Sequence, residues 1–334
     1  MATSIRVRTM DNEQGAPRPL LDPDWADLAS TSATTQPRVG KLDHLTRKAI
    51  VNVASVPQRS PFRYPGGKTW LIPHVRQWLR SFDERPRLLV EPFAGGAIVS
   101  LTAVMENLVD RALMVELDSG VCAVWKAILE GDAIWLADAV EGFDISEVNV
   151  RRLLESQPRM VRDLALQTLV RNRVGRGGIL APGAGIVKRG ENGHGLQSRW
   201  YPATLSRRIR AIAAVRDRLE VICDDGLEHI EPYGDDRRVV FFIDPPYTVA
   251  GRRLYTHNRV DHCRLFALTS NIKGDFLMTY DDSPMIARLA AEHSLQVGRV
   301  PMKTTHHDEK LELLVGRDLG WLTGGPDASK ASAP

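Results

Sequence analysis

What most constrains this chain is an alternation: short apolar runs recur between stretches of helical periodicity. The runs are Leu88 to Glu91, Leu113 to Glu116, Leu219 to Cys223, Val239 to Ile243, Phe276 to Thr279, Leu295 to Pro301 and Leu311 to Val315. Strands buried on both faces read as continuous apolar runs, and parallel neighbours need a crossover between them, usually a helix. The expectation is an α/β fold with a Rossmann-like sheet of seven strands. Between the second and third runs the rhythm breaks. Helical stretches at Asp144 to Glu155, Arg159 to Val170 and Ser206 to Leu219 flank a glycine-rich segment, Gly175 to Gly195. That is too much chain for a plain connection, so residues 136–218 are expected to form a mostly helical insert. It divides one domain into 57–135 and 219–325. Residues 1–56 and 326–334 lack periodicity and read as a mobile arm and a flexible tail, with room for one short helix near Leu42 to Val53.

The 334 residues are 43% hydrophobic and 25% charged, which excludes a disordered chain or a disulfide scaffold. The longest apolar runs, such as Val239 to Ile243, fall far short of the ~20 residues of a membrane span. The N-terminus shows no apolar signal segment, and Cys122, Cys223 and Cys263 are odd in number and without CxxC spacing. A reducing cytoplasm is the expected compartment. Charge is unevenly placed: Arg151 to Arg218 holds fifteen Lys plus Arg against four Asp plus Glu, whereas the rest of the chain is net acidic. A basic block in an acidic protein suits a polyanion partner, since each neutralised phosphate releases counterions. A solvated helix surface is the plainer alternative.

Three segments carry chemistry. Leu88 to Ala97 reads as a buried strand, a glycine turn at Gly95 and Gly96, and the start of a helix. In open α/β sheets such turns line the ligand crevice, and missing side chains let backbone approach a cofactor. No GxGxxG and no P-loop lysine is present, which disfavours a pyrophosphate or triphosphate. The second strand ends in Glu116, placed to accept hydrogen bonds from both hydroxyls of a ribose, while Asp118 better fits a helix cap. A ribose acid and a glycine turn without phosphate-binding groups suggest an adenosine lacking phosphates, and S-adenosylmethionine is such a ligand.

The third segment, Phe241-Phe242-Ile243-Asp244-Pro245-Pro246-Tyr247, delivers an acid into a stiff diproline turn followed by an aromatic ring. The exocyclic amine of a nucleobase is a poor nucleophile because its lone pair is delocalised into the ring. The Asp244 carboxylate and the Pro245 carbonyl can each accept one of its N–H groups, which aims the lone pair at an electrophilic methyl without a formal base. Pro245 and Pro246 stiffen the turn, and Tyr247 can stack on a base that has left the duplex. A plain proline turn with a capping Asp is the bland alternative.

Pro61-Phe62-Arg63-Tyr64-Pro65-Gly66-Gly67-Lys68, then Glu91 to Gly96, then Asp244 to Tyr247, together with Asn172-Arg173-Val174-Gly175 and Glu312-Leu313-Leu314, resemble the Dam-type (D12 class) adenine-N6 DNA methyltransferases over residues 60–316. The resemblance implies a Rossmann-like S-adenosylmethionine-dependent methyltransferase sheet with an inserted target-recognition domain. It places Tyr64, Lys68, Glu91, Phe93 and Asp244 in the cofactor pocket beside Gly95, Gly96 and Glu116. Asp225 would lie near the cofactor adenine, although a turn-forming role is equally open. Arg63 would face DNA, and Tyr255-Thr256-His257-Asn258 would close over the flipped base, with His257 at a phosphate.

Beyond Gly175 the chain departs from the Dam pattern, so the target sequence is open. Arg173, Arg176, Lys188, Arg189 and Arg199 are candidate DNA contacts, although each can equally be a solvated charge. Trp200 reads as core packing. His306-His307-Asp308 has no complementary ligand cluster, and methyl transfer from a sulfonium needs no metal. The expected function is transfer of methyl to N6 of a flipped adenine in double-stranded DNA by an enzyme acting as a monomer, for protection, regulation or partnership with a restriction endonuclease. Adenine in RNA is the nearest alternative. A DNA-binding protein that kept the fold without turnover is the alternative from another class. Cytosine-N4 enzymes usually carry Ser in place of Asp244 and glutamine enzymes Asn.

Overall fold

A computed structural model of the chain describes residues 53–63, 66–180, 185–188, 190, 193–246, 260–303 and 309–322. The seven expected strands are all present, as β1 Leu88–Glu91, β2 Arg111–Val115, β3 Leu219–Ile222, β4 Val239–Ile243, β5 Asp275–Asp281, β6 Gln296–Lys303 and β7 Glu309–Gly316. They form one sheet in the order β3-β2-β1-β4-β5-β7-β6. The pairs β1–β2, β1–β4, β2–β3 and β4–β5 are parallel, whereas β7 runs antiparallel to both β5 and β6. This is the Rossmann-like methyltransferase sheet. The reversal at β7 brings its first residues beside the carboxyl end of β5, with Glu312 opposite Asp281.

The helices are α1 Ile72–Arg80, α2 Ile98–Met105, α3 Ser119–Leu129, α4 Ala133–Gly142, α5 Glu147–Glu155, α6 Val161–Val174, α7 Pro202–Ala213, α8 Glu231–Gly234, α9 His262–Asn271 and α10 Pro284–Glu292. On one sheet face, side chains of α1, α2 and α3 pack with Leu89, Met114, Val240, Phe242, Leu277 and Leu314. On the other, Leu265 and Phe266 of α9 and Ile286 and Leu289 of α10 pack with Val90, Leu113, Phe241, Met278 and Leu313. Burying each such large side chain contributes roughly 1.5–3 kcal/mol. A strand of only five residues, such as β4, is thus held chiefly by its two faces.

The helices between β2 and β3 start where the residues ask. Asp118 caps α3 by accepting from Gly120 N at 2.9 Å and Val121 N at 3.1 Å, and Ser146 caps α5 through Asn149 N. Their apolar sides join the sheet's own core: Leu136 and Val140 of α4, Leu169 and Val170 of α6 and Ile209 and Ile212 of α7 lie in one cluster with Leu89 and Leu101. Close approach of α3 and α6 occurs at Gly120, where a Cβ would lie 2.7 Å from Thr168 Oγ1. Trp200 is buried and meets Phe143 edge-on at 5.9 Å.

Candidate active site

Alternate residues of a strand face opposite sides of a sheet. Leu89, Met114, Phe242, Leu277 and Leu314 all face the layer of α1 to α3. Two residues along from each stand Glu91, Glu116, Asp244, Thr279 and Glu312. Five polar side chains therefore line the carboxyl edge of β2, β1, β4 and β5 and the facing start of β7, on one side of the sheet. Period two, strand order and register together bring them into this row.

Lys68 enters from the short 3-10 turn Lys68–Leu71 that leads into α1. Its side chain is 4% exposed, and its ammonium lies 2.8 Å from Asp244 Oδ1 and 3.2 Å from Glu312 Oε1. It also donates to Gly66 O at 2.9 Å. An unpaired buried ammonium would cost several kcal/mol, so the two carboxylates are what retain it there. Thr279 Oγ1 donates to the same Asp244 oxygen at 2.6 Å. Next along β5, burial and the negative Asp244 and Asp281 push the Tyr280 phenol up, keeping it neutral. Its hydroxyl lies 3.1 Å from His262 Nδ1. The resemblance puts Lys68 in the cofactor pocket, and in the structure it is paired with Asp244 itself.

At the β1–β2 end no cation of this kind is found among the described residues. Glu91 is buried, and its Oε2 accepts from Ser100 N at 3.1 Å and from Ser100 Oγ at the start of α2. Burial pushes this carboxyl up to about 8, against the pull of the Ser100 hydrogen bonds. Glu116 is also buried, with Oε2 accepting from Gly95 N and Oε1 from Asp118 N, each at 2.8 Å. Burial pushes it up to about 7. Gly95 takes φ 47°, which turns its N–H onto Glu116, and its carbonyl accepts from Trp125 Nε1 at 3.0 Å. Gly96 is partly exposed, as is Phe93.

These residues fit an adenosine-type cofactor. Beside the backbone N–H groups that already reach it, the Glu116 carboxylate keeps acceptor capacity for a ribose hydroxyl. Leu117, 46% exposed on the tip of β2, offers an apolar surface beside that carboxylate, of the kind a planar base covers. Asp225 is drawn to the same edge because Gly226 lies directly against the carbonyl of Pro92, where a Cβ could not fit. One oxygen of Asp225 caps the following 3-10 turn through Leu227 N at 3.0 Å, so the turn-forming role is realised. Pro245 is buried and Pro246 partly so. Tyr64, Arg189, Tyr247, Tyr255, His257 and the His306 to Asp308 run lie outside the described residues.

The candidate nucleic-acid contacts divide. Arg173, expected at DNA, is a correction: it is buried, donates through Nη2 to the carbonyl of Pro61, and is held down to about 10 by burial and the nearby Arg208 and Arg63 charges. Asn172 grips Arg63 from both sides, accepting from Arg63 N at 2.8 Å and donating to Arg63 O at 2.9 Å. Arg208 donates to Ser60 O at 3.0 Å. The Asn172-Arg173 pair thus anchors the segment that carries Lys68 rather than facing a partner. Arg176 and Lys188 are exposed and Arg199 partly so. Arg176 and Lys188 flank a short antiparallel return in which Arg176 N donates to Gly185 O and Val187 N to Val174 O. Other basic residues of the block serve the fold: Arg218 donates to Val109 O, Asp110 O and Asn107, and Arg162 stacks 4.9 Å from the Trp135 ring.

Thr279, Glu312 as an ion partner and Leu117 were not singled out for the site by their residue types, since threonine in a strand and leucine at its tip read as ordinary. Strand register was the missing signal. Sequence spacing also hid the pairing of Cys122 with Cys223, which joins α3 to the end of β3 across a sequence separation of 101 residues. Among the described residues no helix is long and apolar enough to cross a membrane.

No family model matches the chain, and no curated protein does. Several solved structures align with the chain at low similarity. A Pyrococcus horikoshii protein provisionally designated an RNA methyltransferase is 10% identical, with a TM-score of 0.36, over 76% of this chain and 84% of that one. The Bacillus subtilis tRNA m1A22 methyltransferase TrmK is 10% identical, with a TM-score of 0.33, over 72% of this chain and 64% of its own, less than two thirds of its length. Precorrin-6y C5,15-methyltransferase from Geobacter metallireducens is 9% identical, with a TM-score of 0.33, over 73% and 86%. Likeness at this level assigns no substrate. The class, a Rossmann-like methyltransferase fold, rests on strand order and on the polar row along the carboxyl edge.

Proposed function

We propose that the chain is an S-adenosylmethionine-dependent methyltransferase that modifies the N6 amine of adenine in DNA, akin to the Dam-type enzymes. One observation carries the reading: Asp244 leaves the end of β4 into Pro245-Pro246 on the same sheet face as Glu116, the ribose acid. When bound, S-adenosylmethionine supplies a methyl on a sulfonium, and the C–S pair returns to sulfur as the N–C bond forms. The chain's own part is orientation. Asp244 and the Pro245 carbonyl accept the two amine N–H groups, which localises the nitrogen lone pair, and the proton released after transfer passes to water. Glu116 holds the ribose, and the Gly95-Gly96 turn allows close backbone approach. A base reaches this edge only by leaving its stack.

Adenine in RNA uses the same chemistry, and the fold without turnover is the remaining alternative. The deciding experiment offers radiolabelled donor with unmethylated genomic duplex DNA and, separately, total RNA, followed by nucleoside analysis. N6-methyl-2′-deoxyadenosine from the duplex arm supports the reading. Label confined to RNA transfers it to the alternative, and no label in either arm overturns it. Docking through the Arg176 and Lys188 return is tested by salt titration: neutralising each should lower the slope of log affinity against log salt by about one.

A further inference from the structure

We infer that Thr279 is a positioning residue that decides which oxygen of Asp244 meets the substrate amine, with Glu312 holding Lys68 back from that oxygen. This rests on the proposed role of Asp244 as amine acceptor. The β4–β5 register pairs Ile243 with Met278, which sets Asp244 beside Thr279. Thr279 is fully buried, and its hydroxyl donates to Asp244 Oδ1 at 2.6 Å. Lys68 Nζ approaches the same Oδ1 at 2.8 Å. Both donors thus sit on one oxygen. Asp244 is 21% exposed, and among the described residues no donor is placed on Oδ2.

A carboxylate held at one oxygen by a single ammonium can turn about its last torsion and present both oxygens to the cation. That would remove the acceptor an amine needs. Two features oppose it. The Thr279 hydroxyl comes from a rigid strand, so Oδ1 is fixed from a direction that a long lysine side chain cannot supply. Glu312 Oε1, 3.2 Å from Nζ, and Gly66 O, 2.9 Å away, draw the ammonium's remaining donors off Asp244. Among the described residues, acceptors on Asp244, Glu312 and Gly66 already occupy the three donors of Nζ without calling on Oδ2. Asp244 is then a carboxylate with one oxygen anchored and the other presented.

The test compares Thr279→Val, which keeps the volume and removes the hydroxyl, with Thr279→Ser, which keeps the hydroxyl and removes the methyl. Both are assayed beside wild type with radiolabelled S-adenosylmethionine and unmethylated genomic duplex DNA, or total RNA if that is what wild type methylates. Cofactor binding is measured by calorimetry on the same preparations. Positioning predicts that T279V loses about 10- to 100-fold in kcat with unchanged cofactor affinity, while T279S turns over within about threefold of wild type. A packing role predicts the reverse order, and that order, or equal rates for all three proteins, overturns the inference. If T279V fails to bind cofactor through misfolding, T279S decides: turnover near wild type sustains the hydroxyl's role, and loss overturns it. An inactive wild type sinks the proposed function itself and is recognised as such by the control.

Discussion

The two ends of the carboxyl edge solve one problem differently. At β1 and β2, Glu91 and Glu116 are buried with N–H and O–H donors as their partners, and burial lifts them to about 8 and about 7. At β4, β5 and β7, Asp244 and Glu312 share the ammonium of Lys68. Dipoles hold an acid without ensuring its charge, whereas a cation favours the charged form. The end that would bind a neutral ribose diol uses the first arrangement, and the end that would orient an amine uses the second.

Breaking the cation-held end should have the largest effect. Asp244→Ala is expected to reduce methyl transfer by about a thousandfold or more with cofactor affinity retained, since an orienting acceptor acts on the transition state rather than on uniform binding. Single-turnover kinetics beside calorimetry would check this. At the dipole-held end, Glu116→Ala should weaken cofactor binding by about 10- to 100-fold, the worth of hydrogen bonds to a carboxylate. Wild-type affinity should itself fall as the pH drops through about 7, where Glu116 takes up its proton. An affinity flat across that range would remove the ribose assignment.

Stability, rather than catalysis or binding, sharpens the contrast further. Glu91 holds its proton in the folded chain up to about pH 8, far above the ordinary 4.5 of a free carboxyl. Its contribution is therefore fully present at low pH and is lost as the pH rises through 8. Between about pH 5 and 8 it should tilt wild-type stability downward by up to about 1.4 kcal/mol per pH unit. Glu91→Gln keeps an acceptor for Ser100 and never ionises, so denaturant melts of that variant should show a flatter dependence.

The row of acids was legible in part before any fold was known. Glu116 and Asp244 stood at the ends of apolar runs, where parallel sheets present ligands, and the diproline turn marked Asp244 out from a solvent loop. Arg173 was misjudged because charge composition carries no direction: the same guanidinium suits a phosphate or the carbonyl of Pro61, and only packing of α6 selects between them. Cys122 and Cys223 likewise read as scattered because nothing in linear spacing reports that α3 and β3 are neighbours.

By itself, then, the order of residues determined the strands, their alternation with helices and the placement of Glu116 and Asp244 at strand ends, because hydrophobic periodicity and turn chemistry are local. Only the tertiary structure decided that Thr279 and Glu312 join Asp244, that Lys68 lies between two carboxylates, and that part of the basic block braces the fold. Those facts depend on strand register and on the reversed β7, which are set by packing between segments far apart in the chain.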